Sequence, residues 1–187
     1  MTVTSQSYRR ILITIDGGTG IILHNGVEIA SDKMHDQWVV ENDTSADSFT
    51  NNIITSWTRS TMSDAAPYLT GMSHSSGVFT FPKSGVYRVD FRFGYYKSDY
   101  RRYVGALIEL SSNSGGSYIE VGRSYTHLKD IDSNNTFNTS IVNGHIDVQD
   151  ASTYRVRFKA FGQNDITIYG ANDDVRTAVM FERLANT

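Results

Sequence analysis

Apolar and polar side chains alternate with a period of two in several stretches of this sequence, and that alternation limits what the chain can fold into. In GVYRVDFRFG (85–94), charged residues separate apolar and aromatic ones. Successive side chains of a β-strand point to opposite faces, so the pattern predicts a strand with one buried and one solvated face. The residues expected to face the core are Tyr87, Val89, Phe91 and Phe93.

The same alternation recurs in YRVRFKAFG (154–162) and YVGALIEL (103–110), and shorter apolar runs occupy 166–170 and 177–184. Turn-forming Gly, Asn, Asp and Ser residues separate these runs. No stretch has a convincing helical period. Many short strands with such turns are typical of a sandwich or a barrel, so we predict an all-β fold.

A glycine-rich stretch near the start, ILITIDGGTGIILHNG (11–26), has two interpretations. A strand followed by Asp-Gly-Gly-Thr-Gly resembles the first phosphate-binding loop of the sugar-kinase and actin superfamily, in which backbone N–H groups bind phosphates. That superfamily needs two large lobes, and 187 residues leave no room for them. Asn25-Gly26 is a strong hairpin signal between apolar runs. We predict a small β-meander over 1–35 and a larger domain over 36–187.

Composition excludes several classes of protein. The formal charge of −3 argues against wholesale nucleic-acid binding. The chain has no Cys, which removes disulfides, thiolate nucleophiles and cysteine-based zinc sites. No apolar stretch approaches the length of about 20 residues that spans a bilayer. The first ten residues lack the basic-then-apolar layout of a signal peptide, so we expect synthesis in the cytoplasm and no membrane insertion.

One stretch, SSGVFTFPKSGVYRVDFRF (75–93), resembles the central signature of the complement C1q and tumour-necrosis-factor families. In that signature a Gly leads into a Phe-Thr strand, a Pro and a Gly form a turn, and a Tyr enters a strand with alternating aromatic residues. The matching positions in this sequence are Gly77, Phe79, Thr80, Pro82, Gly85, Tyr87 and Phe91.

The likeness extends more loosely over 38–187. Residues 51–61 resemble the strand before the signature, and 166–184 resemble the final hairpin, with Phe181 as its buried aromatic residue. The chain departs from the family pattern at Asp150, where a Gly-Asp turn is usual. The resemblance implies a jelly-roll β-sandwich that assembles as a homotrimer around a shared axis.

The stretch YYKSDYRRY (95–103) interleaves aromatic and basic residues and is our candidate for binding a partner or a glycan. Tyr and Arg are common at interface centres because they combine large area with directed hydrogen bonds. The candidate residues are Tyr95, Tyr96, Lys97, Tyr100, Arg101 and Arg102. The alternative interpretation is an ordinary loop whose aromatic residues cover the end of the core.

The stretch DIDSNNTFN (130–138) begins like a calcium-binding loop, with oxygen-bearing side chains at Asp130, Asp132 and Asn134. The loop rule then asks for Gly where Asn135 stands and for Glu where Ile141 stands, which favours a solvated loop. The five His residues lack metal-ligand spacing, and neither Gly-x-Ser-x-Gly nor His-Glu-x-x-His occurs. We predict no catalytic residue, no metal and no cofactor.

These features predict a non-enzymatic structural protein of a bacteriophage virion. It would be a trimeric capsid decoration (cement) protein or the head of a fibre or spike. The expected partners are further copies of the chain and other capsid or tail proteins, with 1–35 as an anchor. The phage assignment rests on association with similar proteins, not on any residue. The alternative is a carbohydrate- or receptor-binding module that acts through 95–103 on a host-surface glycan. An enzyme, either a sugar kinase or a jelly-roll hydrolase, is the third hypothesis.

Overall fold

The chain divides into two compact units, 1–32 and 33–187. The computed structural model describes residues 13–15, 22–24, 27–28, 34–46, 52–61, 70–132 and 134–187. In the first unit, β1 (Ile13–Ile15), β2 (Ile22–His24) and β3 (Val27–Glu28) form an antiparallel sheet in the order β1-β2-β3. This is the strand order of the predicted meander. The Asn25-Gly26 turn and the glycines of the first turn lie outside the described residues.

The second unit is all-β, as the alternation predicts. No helix in the described part of the chain is long and apolar enough to cross a membrane. The strands are β4 (His35–Val40), β5 (Thr44–Ala46), β6 (Asn52–Ile53), β7 (Trp57–Arg59), β8 (Ser73–Ser75), β9 (Val78–Thr80), β10 (Gly85–Lys97), β11 (Arg101–Ser111), β12 (Ile119–Leu128), β13 (Thr136–Val148), β14 (Arg155–Gly162), β15 (Ile166–Ile168) and β16 (Ala178–Ala185).

Two antiparallel sheets divide these strands. In the first, β13 is the edge strand beside β10, and the other side of β10 pairs with β16 and β15. β16 continues to β4 and β7, while β15 continues to β5. In the second sheet the order is β12-β11-β14, and the far side of β14 pairs with β6 and with β9, which leads to β8. Most neighbouring strands are distant in sequence, which is the jelly-roll arrangement.

The alternation in β10 correctly predicts which of its side chains are buried in the core. The four residues expected to face inward are fully buried: Tyr87, Val89, Phe91 and Phe93. Aromatic rings from both sheets meet between the layers. Phe79 of β9 lies 5.2 Å from Phe181 of β16 and 5.6 Å from Phe158 of β14, measured between ring centroids. Such tilted and edge-on ring pairs hold the two sheets together.

The family-like signature at 75–93 connects the two sheets. Its strand β9 lies in the second sheet and its strand β10 lies in the first. Gly77 and Gly85 have positive φ angles of 83° and 144°, which favour Gly. A Cβ atom on Gly85 would also lie 2.5 Å from the Ala185 carbonyl oxygen.

The departure at Asp150 does not prevent a turn from β13 to β14. The Asp150 carboxylate accepts hydrogen bonds from the backbone N–H and the hydroxyl of Ser152, at 2.9 and 2.7 Å. These bonds lower the pKa of Asp150. The Asp150 carbonyl accepts a further bond from the Tyr154 N–H at 3.0 Å. A side-chain oxygen thus organises the turn at this position.

Candidate functional site

Most of the candidate stretch 95–103 lies in two strands, and the structure exposes only part of it. β10 runs to Lys97 and β11 begins at Arg101, so three residues connect them. Tyr95 is fully buried and its ring stacks on Phe93 at 5.2 Å. Burial raises the Tyr95 pKa to about 12. The side chain points into the core because β10 continues its alternation beyond the predicted strand end.

Arg101 is also buried, and all three nitrogens of its guanidinium donate hydrogen bonds within the chain. It donates to the Asp165 carbonyl at 2.9 Å and to the Asp165 carboxylate at 3.0 Å. Lys97 binds the other oxygen of the same carboxylate at 2.6 Å. Asp165, in the link between β14 and β15, therefore clamps the connection between β10 and β11, which crosses from one sheet to the other. Lys97 and Arg101 stabilise the fold in this arrangement.

Tyr96 has a supporting role as well. Its hydroxyl donates to the Asp43 carboxylate at 2.9 Å, and that hydrogen bond raises the Tyr96 pKa. Asp43 also accepts from the Gly170 N–H at 2.9 Å. Tyr100 and Arg102 are the exposed members of the six predicted residues. Glycan or partner binding through 95–103 stays a prediction, and it now depends on those two side chains.

The calcium candidates lie in the link between β12 and β13. Asp130, Asp132 and Asn134 are exposed, and the Asn134 N–H donates to the Ile131 carbonyl at 3.1 Å to form a tight turn. Among the residues that the structure describes, no three His, Cys, Asp or Glu side chains are grouped so that they could hold a metal ion. Calcium binding at this turn stays a prediction.

The most conspicuous surface lies on two strands that the alternation did not reveal. β12 and β13 both expose large apolar side chains. We define the apolar row as Ile119 (66% exposed), Val121 (42%), Tyr125 (63%), Phe137 (54%) and Ile141 (60%). Soluble monomers seldom expose so many large apolar side chains in one region without a use for them.

The apolar row flanks one open edge of the sandwich. Among the strands that the structure describes, β12 pairs with β11 alone and β13 pairs with β10 alone. The other side of each strand is therefore unpaired. Short polar contacts join the two edge strands instead of a ladder. The Ser124 and Ser140 hydroxyls lie 2.6 Å apart, and the Asn138 amide donates to the Thr126 hydroxyl at 2.9 Å. Long unpaired edges are surfaces that proteins usually cover.

Tyr125 is held in place although it is exposed. Its ring meets Phe161 edge-on at 5.0 Å, and its hydroxyl accepts a hydrogen bond from Arg123 at 3.0 Å. The Arg123 guanidinium lies 4.8 Å from the Phe161 ring and also pairs with Glu120. That pair lowers the Glu120 pKa. A pre-ordered aromatic side chain loses little freedom on association, which favours its use in an interface.

Glycine makes room for this arrangement on the outer face of the second sheet. A Cβ atom on Gly105 would lie 2.3 Å from the Phe161 ring, so only Gly lets that ring lie over β11. Phe161 is 5% exposed although it points away from the sandwich interior. On the β12 side of the edge, the exposed Tyr125 therefore packs against the buried Phe161 ring.

Comparisons with known proteins identify the fold. No protein-family model matches this sequence. No curated protein matches it either. The structure of Eiger TNF from S. frugiperda is similar, with a TM-score of 0.62 and 10% identity over 83% of this chain and 93% of that one. Crystal structures of murine APRIL at pH 5.0 and pH 8.0 each give a TM-score of 0.56, with 12% and 13% identity, over 81% of this chain and 99% of theirs.

These identities are low, so the likeness concerns the fold. The chain has a jelly roll of the type seen in the Eiger and APRIL structures. This confirms the fold class that the sequence predicts, including the resemblance carried by residues 75–93.

Proposed function

We propose that this chain is a non-enzymatic structural protein that assembles as a homotrimer. The apolar row carries the proposal, because it places five large apolar side chains beside an unpaired sandwich edge. Association would remove that surface from water and stabilise a cysteine-free domain by mass action. The jelly-roll fold supports the same assembly through the family resemblance.

The family resemblance, and not the chemistry of the edge, supports three copies instead of two. The two flanks differ: β12 carries the Arg123–Glu120 ion pair, while β13 carries Phe137 and Ile141. Unlike flanks can meet each other in a two-fold dimer or in head-to-tail contacts that close into a ring. We propose the ring of three that the family resemblance implies.

The proposal assigns this trimer to a bacteriophage virion, as a capsid decoration or as the head of a fibre or spike made in the host cytoplasm. The small N-terminal sheet supports an anchoring role. Its described strands contain only two or three residues each, and so small a sheet needs something to pack against. A capsid or tail protein is the partner that we propose for it.

The solution mass of the purified protein tests the assembly. Light scattering on a sizing column should give three times the monomer mass of 20.9 kDa over a wide concentration range. A monomer mass at every concentration would contradict the homotrimer and leave a sandwich whose exposed edge needs another partner.

Virions that lack the protein test the proposed location. A decoration protein predicts particles that lose their DNA at a lower temperature than wild-type particles. Unchanged particle stability with lost adsorption would indicate a receptor-binding head. If neither property changes, the virion role is wrong.

A further inference from the structure

The link between β15 and β16, residues 169–177, forms one wall of a cleft beside β13. The cleft has a volume of about 420 Å³. The link approaches closely because Gly94 has no side chain: a Cβ atom there would lie 2.6 Å from the Arg176 carbonyl oxygen. The Tyr169 N–H and the Thr177 hydroxyl both donate to the Gly94 carbonyl at 2.9 Å. The wall is thus fixed before any ligand arrives.

Aromatic rings line one side of the cleft. Phe137 and Tyr169 have ring centroids 4.9 Å apart, and both contribute to the lining. Tyr96 supports them from below, at 4.9 Å from Phe137 and 5.6 Å from Tyr169. The hydrogen bond from Tyr96 to Asp43 holds that support in place. Phe137 is the more exposed of the two lining rings, and an exposed ring can pack against the apolar C–H face of a pyranose.

One guanidinium in the cleft is uncompensated. Arg176 lies 4.2 Å from the Tyr169 ring and pairs with Asp174 at 3.1 Å. Arg92 lines the same cleft and is exposed, and it makes no ion pair or hydrogen bond with any residue that the structure describes. Its neighbours across the sheet are Ile141 and Ala178, which carry no charge.

We propose that this cleft binds a saccharide unit that carries a carboxylate, such as a uronic acid. The Arg92 guanidinium would bind the carboxylate through two parallel hydrogen bonds, and the rings would hold the sugar face. Asp174 neutralises Arg176 and leaves Arg92 as the one uncompensated charge among the described residues that line the cleft, which matches a singly charged carboxylate better than a doubly charged phosphate. The cleft volume is large enough for one or two sugar units. Phe137 belongs both to this cleft and to the apolar row, so a neighbouring copy at the β12–β13 edge would border the cleft.

Saturation-transfer NMR titrations with the full chain test this site. The probes are sodium D-glucuronate, D-glucose, acetate and inorganic phosphate. We expect glucuronate to bind about tenfold more tightly than glucose, because one charge-assisted contact separates the two sugars. We also expect glucuronate to bind more tightly than acetate, which lacks a ring to stack, and phosphate to compete poorly.

Matched variants locate the binding. Arg92→Gln should weaken glucuronate binding about tenfold and leave glucose binding unchanged. Arg88→Gln is the control, since Arg88 lies on the same face of β10 but pairs with Asp90 at 2.8 Å. Tyr169→Leu should weaken both sugars while acetate binding stays the same. Thermal unfolding of each variant checks that the fold is retained.

Three results would overturn the proposal: no saturation transfer to glucuronate, equal affinity for glucose and glucuronate, or an Arg92→Gln variant that binds glucuronate like the wild type. Tighter binding of phosphate or acetate than of glucuronate would also overturn it. Light scattering on the same samples reports the assembly state separately, so failure of this site and failure of the trimer are distinguishable.

Discussion

The β10–β11 connection at 95–103 and the open edge formed by β12 and β13 are both rich in large side chains, but the connection buries or pairs several of them while the edge leaves them exposed. In the connection, Tyr95 lies in the core and Arg101 is bound by Asp165. At the edge, Ile119 and Ile141 are largely exposed and nothing within the described chain covers them. The difference comes from the sheets: strands distant in sequence pack against the connection, whereas the edge strands have a free side.

This contrast shows why residue type alone misassigns a surface. Aromatic and basic residues mark interfaces only when the fold leaves them accessible. The strand register decides that accessibility, because it sets which side chains face the core and which distant acid meets which base. If the β10–β11 connection is structural, substitutions of its buried residues should destabilise the fold, whereas substitutions of its exposed residues should not.

The largest expected effect on stability separates two tyrosines of the β10–β11 connection. Tyr95→Ala should lower the free energy of unfolding by about 3–5 kcal/mol, because it leaves a cavity in the core. Tyr100→Ala should change it by less than about 0.5 kcal/mol, since Tyr100 is 55% exposed. Urea unfolding at one fixed protein concentration measures both. Equal effects would mean that Tyr95 is not a core residue.

Two neighbouring arginines give the next largest contrast. Arg101→Met should cost about 2 kcal/mol, because it removes hydrogen bonds from a charged group to Asp165 and leaves that carboxylate without one of its partners. Arg102→Met should cost less than about 0.5 kcal/mol. The same urea titrations apply. An Arg101→Met variant as stable as the wild type would show that the clamp contributes nothing.

The smallest effect is a dependence on pH. Hydrogen bonds from Lys97, with the charges of Lys97 and Arg101, lower the pKa of Asp165 below its ordinary value of 3.8. The resulting stabilisation is present above the pKa of the unfolded state and is lost as the pH falls through the lower folded-state pKa. Asp165 is 46% exposed, so the effect is about 1 kcal/mol or less.

Asp165→Asn removes this titration. Wild-type stability should therefore fall more steeply than that of the variant as the pH drops below about 4. Thermal unfolding across the acid range measures the two slopes. Parallel slopes would show that the pairing does not persist in solution.

Much of the fold follows from the sequence, and β12 and β13 show where such reasoning stops. β10 was identifiable because its inward residues are large and apolar and its outward ones are charged. In β12 the pattern is inverted: Ile119, Val121 and Tyr125 are exposed, while the small residues Gly122 and Ser124 are half-buried. These half-buried residues are small because the two edge strands approach closely, with Gly122 packed against Val142.

The contacts of the candidate site were harder to predict, because they join residues that are far apart in the sequence. Asp165 lies more than sixty residues from its partners Lys97 and Arg101, and no local pattern links them. The cleft beside β13 likewise depends on Gly94 and on a link that closes over it. Sequence periodicity identifies strands and their buried faces, but pairing between distant strands assembles clamps and clefts.

The central claim is that another copy of the chain covers the edge formed by β12 and β13. The most direct test is the solution mass of an Ile119→Asp/Ile141→Asp double variant, measured by light scattering beside the wild type and a Tyr100→Asp control. We predict a trimer for the wild type and the control, and a folded monomer for the double variant, since charges on both flanks oppose burial. A trimeric double variant would contradict the account and place the subunit interface elsewhere.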